Sequence, residues 1–385
     1  MTLSTIPAEL WLKGKDRAME QELAELVAIN SFTDNTEGGR RMADALAEVF
    51  RLEGLRQRRV QSSRFADHLV FESDGAPGLA PMALVGHLDT VFPPGTFEGY
   101  KRDGDLGRGP GVLDMKGGLL VVAYALRALG ETEGLGALPP LRIVIVADEE
   151  VGSPEGQGVI RDAIQGSQGC LVFEAGRKLD AIITRRKGTG AVTATALGKA
   201  AHAGNNHKDG VNAVRALARF VERAEQLTDY ARGVTVNVGM FHGGDSKNTV
   251  PDRAEAKLDL RFETKADADA LMAALHKAAD GCDLPGARIE LSGGVARLPM
   301  ERSQESAELL LRYGAQAKAV GLGDGEAGLI GGGSDASTSS AMGIASIDGL
   351  GPRGIGFHTK DEQIELATLV LKAQALARFL RSLGR

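Results

Sequence analysis

Three short apolar runs, residues 82–85, 141–146 and 170–173, constrain the fold of this chain more than any other feature. Each has the length of a strand and lacks period-two alternation, the pattern of a sheet buried on both faces. Between the first two, Met115-Lys-Gly-Gly-Leu-Leu-Val-Val-Ala-Tyr-Ala-Leu-Arg-Ala-Leu129 reads as a buried helix stopped by Gly130. Strand, helix and strand in that order require a right-handed crossover and a largely parallel sheet. The length permits this, because 385 residues with 43% apolar content can fill a large core divided between two domains.

Residues 16–53 carry two helical periodicities, with Leu23, Leu26 and Val27 on one face and Met42, Leu46 and Val49 on the other helix's face. A polar loop at 30–39 joins them, and residues 362–383 predict an amphipathic helix that packs back on the same domain. From 187 to 295 the pattern changes. Residues 190–197 are β-like, 211–227 helical, 234–241 β-like, 254–262 strictly alternating, 266–279 helical and 287–291 β-like. The order βαββαβ is that of a ferredoxin-like unit. The fold class is therefore α/β. A mixed, largely parallel sheet flanked by helices (1–186 and 296–385) is interrupted by an inserted ferredoxin-like α+β domain (187–295).

The ends of the three runs carry the chemistry. The first enters Gly86-His-Leu-Asp-Thr-Val91, the second Asp148-Glu149-Glu150, and the third Glu174-Ala-Gly176. Ligand sites in open parallel sheets lie beyond the carboxyl ends of the strands, so imidazole and carboxylate groups reach one rim, with Asp114 joining from the loop before its helix. Histidine with several carboxylates is a ligand set for a divalent ion with open positions for water. The 27 residues from His87 to Asp114, 36 to Glu150 and 24 to Glu174 exclude a compact local motif. Acidic strand ends are also common without a metal, so spacing alone leaves both readings open.

At these residues the chain resembles the co-catalytic dinuclear zinc peptidase and deacylase family. That family includes glutamate carboxypeptidase, acetylornithine deacetylase, succinyl-diaminopimelate desuccinylase and aminoacylase. Besides the three strand ends, the matching segments are Gly109-Pro-Gly-Val-Leu-Asp-Met-Lys-Gly-Gly118, Gly152-Ser153, Gly198-Lys-Ala-Ala-His-Ala-Gly204, Asn248-Thr-Val-Pro251, Gly331-Gly-Gly-Ser-Asp335 and Gly356-Phe-His358. The resemblance implies two divalent ions per chain, zinc by default with cobalt or manganese as substitutes. His87 and Glu174 would hold one ion, Glu150 and His358 the other, and Asp114 would bridge them across a cis peptide to Met115. It makes Glu149 the general acid/base acting on metal-activated water, and Asp89 the carboxylate that orients His87. His202 would reach an active site, often the partner subunit's, and Asn248, Arg261, Arg297 and Gly333 would bind substrate. Arg261 lies on the polar face of the alternating strand, as that role requires.

The implied activity is cleavage of an amide next to a C-terminal or N-acylated amino acid, most like glutamate carboxypeptidase. An N-acyl-amino-acid deacylase or a di- or tripeptidase is the rival, and an inactive metal- or ligand-binding relative a weaker one, since Glu149 is intact. The implied partners are a small peptide or N-acyl amino acid and a second copy of the chain, paired through the inserted lid and dimerisation domain. The polar segments Gly243-Gly-Asp-Ser-Lys247 and Asn205-Asn-His-Lys-Asp209 depart from some members and bear on substrate identity.

A net charge of −6 with both signs interspersed argues against a nucleic-acid or anionic-membrane surface. Cys170 and Cys282 are too far apart in sequence for a disulfide framework or zinc knuckle, which suits a reducing cytoplasm. The first thirteen residues show neither a basic leader nor a long apolar stretch. His68, His207, His242 and His276 read as surface or locally bonded histidines, Asp148 as support for the turn carrying Glu149, and Cys170 as a small buried hydrophobe. Lys116 reads equally as a substrate contact or as a solvated or helix-packing residue. Gly349-Leu-Gly-Pro-Arg-Gly354 fits a dinucleotide pattern but lacks the following helix, so no such site is expected.

Overall fold

The computed structural model describes residues 6–384, so the first five residues of the N-terminal segment read above lie outside it. These residues form two compact units. One comprises the chain up to Arg185 with Arg302–Leu329 and the residues from Ser334 onward; the other comprises Arg186–Glu301 with Ile330–Gly333.

The first unit is built on a six-stranded sheet in the order Arg56–Val60, His68–Glu72, Leu141–Val146, Met82–His87, Gly169–Val172, Ser346–Ile347. The last four are mutually parallel and the first two join antiparallel, so the sheet is mixed and largely parallel. The two antiparallel strands were not anticipated. Arg56–Val60 is a polar edge strand whose charges protect it from further pairing, and such a strand has no buried face to betray it in sequence.

The helix Lys116–Thr132 packs against this sheet and beneath Asp16–Val27 and Ala367–Leu383, and nearly every residue in it is buried. It runs through Gly130. The stop is Gly134, in the left-handed region at φ 77°, whose N–H reaches back to the Leu129 carbonyl at 2.9 Å. The C-terminal helix begins at Ala367 rather than 362, because residues 363–365 pair as a strand with Leu106–Arg108. That pairing turns Glu362 into the core.

The second unit is a four-stranded antiparallel sheet in the order Thr235–Gly243, Arg253–Phe262, Gly188–Leu197, Arg288–Arg297, with helices Ala213–Glu225 and Lys265–Asp280 packed on it. In Arg253–Phe262 the residues Ala254, Ala256, Leu258, Leu260 and Phe262 are buried, as the alternation predicts. The helices bury Ala216, Leu217, Phe220, Leu271 and Leu275 against them. The order is that of a ferredoxin-like unit.

Candidate functional site

Three adjacent parallel strands end side by side at the rim of the large sheet. His87 closes Met82–His87 and pairs with Val146, after which the chain turns into Asp148, Glu149 and Glu150; Gly169–Val172 leads on to Glu174. A common parallel register brings all three ends to one edge. Asp114 enters from the loop before the helix Lys116–Thr132, and His358 from a tight turn in which its own φ is 63°.

These side chains converge. His87 Nε2 lies 3.1 Å from Asp114 Oδ1 and 3.6 Å from Glu174 Oε1. His358 Nε2 lies 3.0 Å from Glu150 Oε2 and 3.3 Å from Asp114 Oδ2. Asp114 thus turns one oxygen to each histidine. Ligand atoms of His87, Glu149 and Glu174, and likewise of His87, Asp114 and Glu150, fall within 4.8 Å of one another. The Asp114–Met115 peptide is cis.

Asp89 organises the rim from beneath. Its Oδ1 accepts the Glu149 N–H at 3.1 Å, and its Oδ2 accepts the Glu150 N–H at 3.2 Å and the Thr33 hydroxyl at 2.8 Å. The same oxygen Oδ1 lies 3.4 Å from His87 Nδ1, which also meets the Asp89 carbonyl at 3.0 Å. Asp148 supports the turn as read from sequence, accepting the N–H groups of Glu155 and Gly156 at 2.8 and 3.0 Å. Ser153 in turn donates to Asp335 at 2.6 Å.

Burial sets the electrostatics. Desolvation drives Glu174 well above the usual carboxylate range and raises Glu150. Asp114 is also desolvated, but hydrogen bonds from His358 and His87 hold it below its ordinary value. Burial works against a charged His87, yet Asp114 and Asp89 raise it well above the usual imidazole value; hydrogen bonds to Asp114 and Glu150 push His358 up to about 10. The rim is therefore a cluster of buried carboxylates that requires positive charge, arranged around imidazole nitrogens. Nitrogen and carboxylate donors of this kind fit zinc, cobalt or manganese.

Lys116 is not a surface group. It is 1% exposed, donates to the carbonyls of Leu26 and Ile29 at 3.3 and 3.0 Å, and desolvation lowers its pKa to about 7. His68 is buried too, correcting the surface alternative, and its Nδ1 accepts the Ala147 N–H at 3.1 Å.

The remaining predicted residues lie in the second unit. His202 is exposed on the two-residue strand Ala201–His202, opposite Thr249. Its Nδ1 accepts the N–H groups of Gly204 and Asn205, both at 3.1 Å, so the neutral ring carries its proton on Nε2 and presents a donor. Asn248 is exposed, bonded to Ser246, and its carbonyl accepts the Ala203 N–H at 2.9 Å. Arg261 is paired to Asp259 and reaches the Gly331 carbonyl at 3.5 Å. Arg186 reaches the Gly332 carbonyl at 3.1 Å, and a Cβ on Gly333 would sit 3.0 Å from Arg297 Cδ. Three arginines thus surround the glycine segment, two bonded to its carbonyls and Arg297 packed where a side chain on Gly333 would crowd it.

Residues 184–282 match the model of the peptidase dimerisation domain of the M20 peptidases. Carboxypeptidase G2 of Pseudomonas sp. (strain RS-16) is 27% identical over 95% of this chain and 89% of its own length. Among solved structures, aminopeptidase PepT from Bacillus cereus superposes with a TM-score of 0.79 at 21% identity, covering 96% of this chain and 99% of that one. The M20 family metallo-carboxypeptidase Sso-CP2 from Sulfolobus solfataricus gives 0.74 at 18% identity, over 95% and 99%.

Residues 184–282 thus carry the M20 peptidase dimerisation domain, and the chain as a whole resembles M20 metallopeptidases. Its relatives mark it as a metal-dependent hydrolase of the peptidase and deacylase type, and the clustered rim offers candidate donors for a metal. Three parts of the polar framework escaped sequence reasoning. Thr33 sits in a loop that reads only as polar, Glu362 was absorbed into a helix, and Arg186 precedes the strand to which it was adjacent. The only local signal was the run of turn residues before Gly356; nothing in sequence links Thr33 to a residue 56 positions away.

Proposed function

We propose that this M20 enzyme is a dinuclear, glutamate carboxypeptidase-like hydrolase. The observation that carries this reading is Asp114, whose Oδ1 and Oδ2 face His87 at 3.1 Å and His358 at 3.3 Å as a bridging carboxylate would. His87 and Glu174 would hold one ion, His358 and Glu150 the other. Bound there, zinc supplies Lewis acidity and a water acidified to near neutrality, with cobalt or manganese able to substitute. Asp89 fixes the His87 ring and, through two amides, the aim of Glu149 and Glu150. Glu149 takes the proton of the attacking water and delivers it to the leaving nitrogen.

Arg261, Arg297 and Arg186, with Asn248 and the open backbone of Gly331–Gly333, suit a substrate carboxylate, because the guanidinium fork matches its two oxygens. A panel of folyl-glutamates, N-acetyl-amino acids and dipeptides tests this. Substrates ending in glutamate are expected to give the highest kcat/KM, by tenfold or more over the others, on the order of the ~1.5–3 kcal/mol of a charge-assisted hydrogen bond. Preference for acetyl-amino acids or free dipeptides instead establishes the deacylase or dipeptidase reading.

The second unit makes the enzyme a homodimer. Its edge strand Thr235–Gly243 exposes Met240 and Phe241 and offers an unpaired side for two-fold association. His202 donates a hydrogen bond from its Nε2–H to the developing oxyanion of the partner's active site. Mixing His202→Ala chains with Glu149→Gln chains should then restore part of the activity, although each variant alone is nearly inactive. Absence of rescue places His202 in the site of its own subunit, and a fully active monomer in sedimentation removes the dimer. No described helix is long and apolar enough to cross a membrane, and both cysteines are free, which suits the cytoplasm.

A further inference from the structure

Glu362 is 1% exposed, and both its oxygens are spent on one loop. Oε1 accepts the N–H groups of Leu113 at 2.9 Å and Asp114 at 3.0 Å; Oε2 accepts that of Gly111 at 3.1 Å. The Glu362 carbonyl also accepts the Gly109 N–H at 3.3 Å. The loop from Gly109 to Asp114 therefore hangs from a single residue nearly 250 positions away in sequence. Antiparallel pairing of Gln363 with Arg108 delivers the carboxylate there.

The same residue closes the turn that carries His358. Its N–H donates to the Thr359 carbonyl at 3.2 Å, and Gly356, at φ 82°, has no room for a Cβ, which would lie 3.0 Å from the Glu362 nitrogen. Asp114 and His358, 3.3 Å apart at the rim, thus depend on one buried side chain for their relative placement. A carboxylate suits this better than any neutral group. It can accept three N–H bonds and donates none, whereas an amide offers one accepting oxygen and turns an NH2 toward a backbone N–H.

We infer that Glu362 is a positioning residue for the metal centre: it presets the Asp114 loop against the His358 turn before any ion binds. The inference rests on the dinuclear reading. Its role is indirect, since its oxygens face backbone amides rather than the rim.

The test is Glu362→Gln in the full-length chain, compared with wild type and with Asp361→Asn at the exposed neighbouring position. Cobalt is titrated into metal-free protein, with affinity and visible absorption recorded, alongside kcat, KM and the melting temperature of the metal-free form. The expected result is a 10- to 100-fold loss of cobalt affinity, the order seen when groups that orient ligands are removed. The cobalt spectrum should shift, and kcat at saturating metal should fall while KM stays within about twofold. Asp361→Asn should match wild type in all of these. A folded Glu362→Gln chain with wild-type affinity and spectrum overturns the inference, as does a lowered melting temperature with unchanged affinity in the folded fraction. Should wild type itself bind no cobalt, the dinuclear reading fails first. If the variant does not fold, hydrogen exchange on metal-free wild type decides: the Gly111, Leu113 and Asp114 amides must exchange far more slowly than exposed loop amides, and fast exchange overturns the preset loop.

Discussion

Glu149→Gln should lower turnover by about 10²- to 10⁴-fold, the range contributed by a positioned general acid/base, while the protein keeps its metal and its fold. Glutamine has the size and shape of glutamate and leaves the backbone N–H of residue 149 on Asp89 Oδ1, so the turn keeps its aim. Only the group that accepts the proton disappears. The carboxylate it replaces lies within 4.8 Å of ligand atoms of His87 and Glu174, close enough to serve a water held at the rim. Glu150→Gln provides the contrast: Glu150 Oε2 faces His358 at 3.0 Å, so its loss should reduce metal content. Elemental analysis beside steady-state kinetics separates the two effects. Near-normal turnover by Glu149→Gln means that another group is the base.

Asp114→Asn should be more damaging still, because one residue serves both histidines. Asparagine keeps a single acceptor and no charge, so the two oxygens that face His87 and His358 can no longer be shared equally between two cations. On the dinuclear reading, metal content should drop from two ions per chain to one or fewer. Activity should fall on the order of a thousandfold or more, since several kcal/mol of charge stabilisation are forfeited and about 1.4 kcal/mol corresponds to a factor of ten. Retention of two ions and wild-type activity would falsify the bridging role.

The order of elements in the second unit, and of the three buried strands and the crossover helix in the first, was legible in the chain because it is a local matter. Residues 254–262 alternate with period two, and the structure buries alternate side chains there. The 3.6-residue spacing at 211–227 and 266–279 likewise becomes Ala213–Glu225 and Lys265–Asp280. Readings failed where a distant partner decided the outcome. Residues 362–366 have helical composition, but the ladder with Leu106–Arg108 supplies hydrogen bonds that a longer helix would have to give up. Of the two readings of His68, surface or locally bonded, the surface one fails, because the residue stands in a strand paired with Leu141–Val146 and is buried there.

By itself the sequence determined which segments bury both faces, which chemical groups follow the three strands, and which motifs stand at Gly109–Gly118 and Gly331–Asp335. Tertiary structure alone decided the distances at which groups from 87 to 358 meet at that rim, which oxygen Asp114 turns to each histidine, and that Glu362 and Thr33 hold the frame. The reason is that periodicity records only whether a side chain meets apolar surroundings or water. A buried carboxylate must find its donors wherever the fold brings them, and the parallel register and the long returns of the chain set which donors those are.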